Sequence, residues 1–424
     1  MDGSIIALII VGVAIIFFVT EIVPLPVTAL GAAIAMAMFG IISFGDAFAG
    51  FGHDVPMILI GSLIMGEALL ETGAANKFGA GIIRAVGTNQ RLFTTTVFII
   101  TSLLSAFMSN TVLVATMMPV VAAAAAASGG KITKKHTYMA IGIGANMGGS
   151  LTLIATSTNL VGQAILIESG ETVMSMFDLT LGSLPRIIFI AIFYLTVGHK
   201  LQEKVFNFDE PVTAVDSTSP DSTQTVKPYK MWLTVAIFAL MIVGFMSTIW
   251  TIGTVAMVAA LACVSLRCIS IKDALKRIDW SSVWLVAGSL GFAAGLERSG
   301  AGALIAETAI GFLGSDVSVF SLLIIFTLLA IVMANLMSST ATISILGPIG
   351  VFMFISLGYE PRMLIMALIW SINLAFATPI GTPPITMTLA GGYRFKDYAK
   401  VGGLLVVICT IITILSYPII FGLF

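Results

Sequence analysis

Four short polar runs interrupt otherwise apolar segments of the chain: Ser109-Asn110-Thr111, Ala155-Thr156-Ser157-Thr158-Asn159, Ser338-Ser339-Thr340 and Thr378-Pro379-Ile380-Gly381-Thr382-Pro383-Pro384. Their side chains are hydroxyls and amides, so the chemistry open to them is coordination and hydrogen bonding, not acid–base or nucleophilic catalysis. Broken backbone at membrane depth is tolerated only where it lines a cavity or is buried in protein. A helix that restarts after such a break aims unpaired N–H groups and a partial positive charge at the break, which suits an anion. Freed carbonyls with Ser, Thr and Asn oxygens suit a hard monovalent cation such as Na⁺. Ser105 stands one turn before Ser109, so its hydroxyl could join the first cluster.

The residues that are missing narrow the chemistry further. Carboxylates are confined almost entirely to loops and the ends of apolar runs; Glu67 is the best intramembrane candidate, and Glu297 sits at the end of its run. A proton-coupled carrier usually shows buried Asp, Glu or His relays, and none stands near the four breaks, which favours Na⁺ over H⁺. No Arg or Lys stands near them in sequence either, so an anion would be neutralised by helix ends and co-bound cations. His53, His136 and His199 fall in loops or at span ends, and Cys263, Cys268 and Cys409 have no metal-ligand spacing. With no nucleophile–base pair or ligand cluster at membrane depth, an enzyme is the weakest reading.

The elements that must hold these breaks are membrane spans. Of 424 residues, 58% are hydrophobic and 10% charged, where soluble domains carry charge on about a quarter. Mean hydropathy is +1.08, and a net charge of −1 gives no reason to expect a nucleic-acid partner. Runs of the length a span needs occur at 4–20, 25–43, 55–71, 184–198, 230–249, 252–269, 281–297 and 401–423. The first lacks a basic leader and cleavage site and reads as a retained span. Segments 92–127 and 317–357 are apolar but broken midway, as hairpins. Segments 137–167 and 362–392 are too long and interrupted for one straight helix. The stretch 199–229 is hydrophilic and reads as a cytoplasmic linker, and Gly73–Arg91 as an interfacial helix with a counterpart at 301–315.

The two sides of the linker repeat each other. Ile42-Ser43-Phe44-Gly45-Asp46-Ala47 recurs as Ile269-Ser270-Ile271-Lys272-Asp273-Ala274, and Gly61-Ser62-Leu63 as Gly288-Ser289-Leu290, both at an offset of 227. Thr111 and Pro119 return as Thr340 and Pro348 at an offset of 229. If both hairpins dip in and return while ten runs cross, 17 of the 20 Lys and Arg fall on one face; only Arg186, Arg298 and Arg362 fall on the other. The basic face is then cytoplasmic. Five crossings per copy invert the second copy, put both termini outside, and bring the first hairpin in from the cytoplasm and the second from outside. The expected fold is therefore an all-α polytopic protein of the inner (plasma) membrane. It has two inverted repeats (1–198 and 230–424), re-entrant hairpins and helices broken at the midplane, where matched interruptions mark a transporter's site.

These motifs resemble the divalent anion/sodium symporter family, the Na⁺-coupled dicarboxylate, citrate and sulfate carriers, over nearly the whole chain. The resemblance rests on Thr20-Glu21-Ile22-Val23-Pro24-Leu25-Pro26-Val27-Thr28-Ala29-Leu30, on Ser109-Asn110-Thr111 at a hairpin tip, and on Gly381-Thr382-Pro383-Pro384. It implies an elevator mechanism in a homodimer, with Na⁺ as coupling ion. It implies a first Na⁺ site from Ser105, Ser109, Asn110 and the Ala155 carbonyl, with Asn159 beside it in the same break. Ser339 and the Gly381 carbonyl would help form a second. Asn110, Thr111, Ser338, Ser339, Thr340, Thr382 and Pro383 would face the anion, together with Thr158. The sequence departs from the family where Ser339 stands for the usual Asn, Ala334 has no hydroxyl to match Ser105, Thr156-Ser157 replaces a Thr-Pro-Pro pattern, and Ile385 replaces an Asn. The second cation site is accordingly lost, or rebuilt with Asn335 or Thr342. The leading expectation is symport of a C4-dicarboxylate; the alternatives are a sulfate, arsenite or other oxyanion carrier, a Na⁺/H⁺ antiporter, and a Na⁺-independent anion channel or exchanger.

Overall fold

A computed structural model describes residues 3–74, 87–208, 228–247, 249–313 and 317–423, and these form helices and turns with no strand among them. The first half runs α1 (Gly3–Thr20), α2 (Leu25–Met38), α3 (Phe44–Ala49) and α4 (Asp54–Glu71), then the hairpin α5 (Gln90–Ser105) and α6 (Asn110–Ala127). A broken helix follows as α7 (Tyr138–Gly149) and α8 (Ser157–Glu168). α9 (Thr180–Phe193) then continues through a widened π-helical turn at Tyr194–Gly198 into α10 (His199–Val205). The second half keeps the order. It has α11 (Pro228–Met246), α12 (Ile252–Ser265), α13 (Ile271–Arg277), α14 (Trp280–Ser299) and α15 (Ala301–Leu313), then the hairpin α16 (Val319–Leu336) and α17 (Ser339–Ser356). The second broken helix is α18 (Pro361–Ile372) and α19 (Pro383–Met387), and α20 (Gly403–Phe421) closes the chain.

Among the described residues eight helical stretches, from Gly3–Thr20 to Phe395–Phe421, are long and apolar enough to cross a bilayer. α2, α12 and α18 are apolar but shorter; at 1.5 Å per residue each falls short of a ~30 Å hydrocarbon core. The span expected over 25–43 is thus helical only through Met38, and a second short helix follows it. α2 stops at Met38, Gly40 takes a φ of +75°, and Ser43 starts α3 through a reciprocal capping box with Asp46. In the second copy Ser270 accepts from the Asp273 N–H in the same way. The repeated Ile-Ser-x-x-Asp-Ala motif is therefore a helix start in both halves.

The repeated Gly-Ser-Leu motif is a packing device. A Cβ on Gly61 would lie 2.5 Å from the Ala256 carbonyl carbon, and one on Gly288 would lie 2.7 Å from the Leu30 nitrogen. So α4 lies backbone to backbone on α12, and α14 on α2, each half contributing one helix to each pair. Polar ties join distant segments. Ser4 donates to the Ser299 carbonyl, and Arg298 pairs with Asp46 and Arg362 with Asp178. Lys230 donates to the Arg267 carbonyl, and the Thr133 N–H to the Gln90 side chain. Most of the expected interfacial helix (75–86) and most of the linker (209–227) lie outside the described residues, while α10 occupies the linker's first part. After the second break the helix lasts only through Met387, followed by a tight turn at Thr388–Gly391, where a longer segment was expected.

Candidate functional site

The hairpin tips and helix breaks of both halves converge on one cavity of about 270 Å³. Its wall includes Ser109, Asn110 and Thr111 from the first tip, Ser338, Ser339 and Thr340 from the second, Ala155, Thr156, Ser157 and Thr158 from the first break, and Gly381, Thr382 and Pro383 from the second. Leu59, Ser62 and Leu63 of α4 with Asp279 and Ser282 at the start of α14 close the remaining side. Every residue expected to face the anion lines this cavity, as do Ser109, Ala155 and Gly381 from the cation set. Ser105 and Asn159 stand behind the wall.

Three of the four helices that start at the hairpin tips and breaks lack a side-chain cap. Ser109, Thr156 and Thr382 are the N-cap residues of α6, α8 and α19, and none accepts a bond from its own helix's first turn. Helix starts elsewhere divide: Asn89, Thr251, Ser270 and Ser318 cap theirs, while α2, α7, α9 and α18 also begin without a side-chain cap. The first N–H groups of a helix need an acceptor, so the starts after Ser109 and Thr156 leave donors for an anionic ligand; α19 offers none, because Pro383 and Pro384 have no N–H and the Ile385 N–H is bonded to the Thr382 carbonyl. Ser338 is the exception; its Oγ accepts from the Ala341 N–H at 3.1 Å.

Behind the first tip, Ser105 Oγ lies 2.5 Å from Asn110 Oδ1 and 2.8 Å from the Ala145 carbonyl, so its one proton has two acceptors. Two oxygens thus stand beside one buried hydroxyl, three oxygens in all, which is a cation-friendly arrangement. Asn159 is turned otherwise. Its Nδ2 donates to the carbonyls of Gly149 and Thr152 at 2.8 and 2.9 Å, which holds the break open from behind, while its Oδ1 is buried with no described partner. Thr152 in turn donates to the Ala106 carbonyl, tying the break to the hairpin.

The second half reaches a similar end by other residues. Ser339 donates to the Ile372 carbonyl at 3.0 Å, and Ile372 is the repeat equivalent of Ala145. Asn335 is buried, donates to the Ile331 and Leu374 carbonyls, and accepts from the Ala377 N–H at 2.9 Å. Thr342 donates back to the Ser338 carbonyl, an ordinary within-helix bond. Of the two residues open for a rebuilt cation site, Asn335 is the one that reaches the break.

Sequence reasoning missed two wall residues, Asn146 and Asn373. They are equivalent at the 227 offset, and applying that offset to every polar residue within an apolar run would have found them. Asn146 bonds to Thr382 across the cavity; a Cβ on Gly149 would meet Asn110, Thr156 and Asn373 within 3.1 Å, so this glycine lets the three close on one another. The reading that no Arg stands near the breaks is also corrected. Arg186 lies inside α9, which starts at Thr180 instead of 184, and it is fully buried with its guanidinium against Ser150. In the sequence it stands two residues inside the run 184–198, at the end assigned to the charge-poor face.

The family described as "Citrate transporter" matches residues 15–354, and "Sodium:sulfate symporter transmembrane region" matches residues 316–422. A Synechocystis protein named "Uncharacterized transporter sll0640" is 31% identical over 44% of this chain, but the match spans only 31% of that protein's length. The "Sodium-dependent high-affinity dicarboxylate transporter 3" of Caenorhabditis elegans is 24% identical over 94% of this chain and 80% of its own. Among solved structures, the Alcanivorax borkumensis YdaH transporter superposes with a TM-score of 0.61 at 17% identity, covering 91% of this chain and 86% of that one. That likeness concerns the fold.

Proposed function

Because the chain belongs to the divalent anion/sodium symporter family, within the group that the citrate transporter family describes, we propose that it carries a small divalent anion across the membrane together with Na⁺. A C4-dicarboxylate such as succinate, malate or fumarate is the substrate class that fits best. The observation that carries this reading is the cavity whose wall offers two uncapped helix starts with free N–H groups, after Ser109 and Thr156, and no Lys or Arg side chain. Such a wall favours an anion through backbone N–H groups but needs mobile positive charge to finish neutralising a dianion. Na⁺ ions held beside Ser105, Ser109, Asn110 and the Ala155 carbonyl, and beside Ser339, Asn335 and the Gly381 carbonyl, supply it. The volume lies just below the ~300–1,000 Å³ of pockets for drug-sized ligands, which suits a molecule of few heavy atoms.

Movement follows from the composition of the wall. Tips and breaks are tied to each other by Thr152–Ala106, Ser105–Ala145, Ser339–Ile372 and Asn146–Thr382. They form one body that slides against α4 and α14, an elevator in which the site travels with its own walls. The sulfate-symporter match over residues 316–422 makes sulfate the second reading for the same cavity. Uptake of labelled succinate and labelled sulfate into proteoliposomes, with an inward Na⁺ gradient and with K⁺ in its place, separates these. Na⁺-driven succinate uptake is expected, and equal uptake in Na⁺ and K⁺ would end the symport reading.

A further inference from the structure

Arg186 is the one fully buried cation among the described residues. Its Nε donates to the Gly182 carbonyl at 2.9 Å, one terminal nitrogen to the Trp370 carbonyl at 2.8 Å, and the other to Ser183 Oγ at 2.9 Å and Ser150 Oγ at 3.4 Å. No described carboxylate lies within ion-pair distance of it. A buried charge without a counter-charge is costly, and inside a membrane segment it marks function before it marks stability.

Its partners are placed with purpose. Ser150 is the C-cap of α7, and Trp370 lies in the last turn of α18. One guanidinium therefore touches the ends of both half-helices that run into the breaks. Those ends carry the negative poles of their helices. Gly149, next to Ser150, packs directly on Asn110 and Asn373 of the cavity wall. A cation at this point cancels the negative poles on the far side of the breaks. The positive poles of the uncapped starts at Ser109 and Thr156 are then left to dominate the cavity.

We propose that Arg186 is a positioning residue for the anion: a fixed positive charge, held behind the breaks by Ser150, Ser183 and Trp370, that sets the cavity's preference for divalent over monovalent anions. It does not touch the ligand and acts through its field. The proposal rests on the anion-carrier reading above. An interaction of this kind scales with ligand charge. If removing the charge weakens a monoanion by a given factor, it weakens a dianion by the square of that factor, and it strengthens a cation.

Three variants of the protein test this by calorimetric titration in detergent with succinate, sulfate, monomethyl succinate and, with none of these present, NaCl. Arg186→Gln is expected to weaken monomethyl succinate about threefold and succinate about tenfold, and to tighten Na⁺. Arg186→Lys keeps the charge and is expected to hold the succinate-to-monoester ratio near the wild-type value. Ser183→Asp places a carboxylate beside the guanidinium, neutralising it without removing its contacts, and should reproduce the glutamine variant even if that variant folds poorly. A merely structural role would lower thermal stability and leave the ratio alone. An unchanged ratio in both Arg186→Gln and Ser183→Asp overturns the proposal. If the wild type binds neither succinate nor sulfate, the anion reading fails; the Na⁺ titration still decides the charge, and an unaltered Na⁺ affinity in both variants overturns it.

Discussion

Asn146 and Thr382 exchange hydrogen bonds across the cavity: Asn146 Nδ2 donates to Thr382 Oγ1 at 2.9 Å, and the same hydroxyl donates back to Asn146 Oδ1 at 3.1 Å. Asn146 belongs to the first broken helix and Thr382 opens the second, so this pair joins the halves at the site itself. Asn146 is almost fully buried, which makes an unpaired amide there expensive.

Thr382→Val keeps the shape of the side chain and removes both bonds. Leaving a buried partner unsatisfied costs about 1–3 kcal/mol, so Na⁺-driven succinate uptake should fall at least about tenfold, while Thr382→Ser should stay near wild type. Initial uptake rates in proteoliposomes, normalised to incorporated protein, read the difference. Equal rates for the valine and serine variants would show that the pair does not hold the site.

Ser105 and Asn110 make the second test. Ser105 stands 2.5 Å from Asn110 Oδ1 and 2.8 Å from the Ala145 carbonyl, so Ser105→Ala removes one oxygen from the cation cluster and frees the amide that lines the cavity. The Na⁺ concentration for half-maximal uptake should rise about tenfold, roughly what one lost ligand in a hydrogen-bonded cluster costs, with a smaller effect on the maximal rate. Asn110→Ala, which removes a residue common to both sites, should abolish gradient-driven uptake. Wild-type Na⁺ dependence in Ser105→Ala would take that hydroxyl out of the site.

Much of this arrangement was legible in the sequence, because breaks in apolar segments are written in residue type. Ser109, Thr156, Ser338 and Thr382 are polar where lipid or packing would select apolar residues; the 229 offset pairs Ser109 with Ser338, and Thr156 and Thr382 stand 226 residues apart. What was not legible depended on length or on the third dimension. The start of α9 at Thr180 was hidden because Thr180, Gly182 and Ser183 do not look apolar, and that start decides whether Arg186 is outside or buried. The end of α2 at Met38 depends on a glycine turn and a capping box, both local signals that a hydropathy window averages away. The tie from Ser339 to the Ile372 carbonyl depends on two segments 33 residues apart meeting.

His136 supplies a pH test outside the spans. It lies in the turn Lys134–His136, is buried, and has Nδ1 2.5 Å from Thr133 Oγ1, with the His199 ring 5.2 Å away. Burial, helped by the nearby His199 and Lys135, pushes its imidazole from 6.5 down to about 4. Between those values the unfolded chain binds a proton that the folded protein does not, so stability falls as pH drops from about 7 towards 4. The melting temperature in detergent should decline between pH 7.5 and pH 5, and less steeply in His136→Phe. Parallel pH dependence in the two proteins would sink the assignment.

The asymmetry between the halves gives the last prediction. In the first, Ser105 lies between Asn110 Oδ1 and the Ala145 carbonyl; in the second, the positions of that serine and asparagine hold Ala334 and Ser339, and Ser339 itself donates to the Ile372 carbonyl. Ser339 spends its hydroxyl on the carbonyl behind it and has no amide to present to the cavity, so the second half satisfies its break at the expense of a ligand. Ala334→Ser with Ser339→Asn rebuilds the first half's arrangement in the second. Asn335 still holds Leu374 and Ala377 in place, so the backbone that receives the change is already fixed. The double variant should show a steeper dependence of uptake on Na⁺, with a Hill coefficient above the wild-type value, and neither single change should, because each supplies only half of the hydroxyl–amide pair. A Hill coefficient unchanged in the double variant would mean that Asn335 already serves as the second cation's ligand, and Asn335→Ala should then lower it.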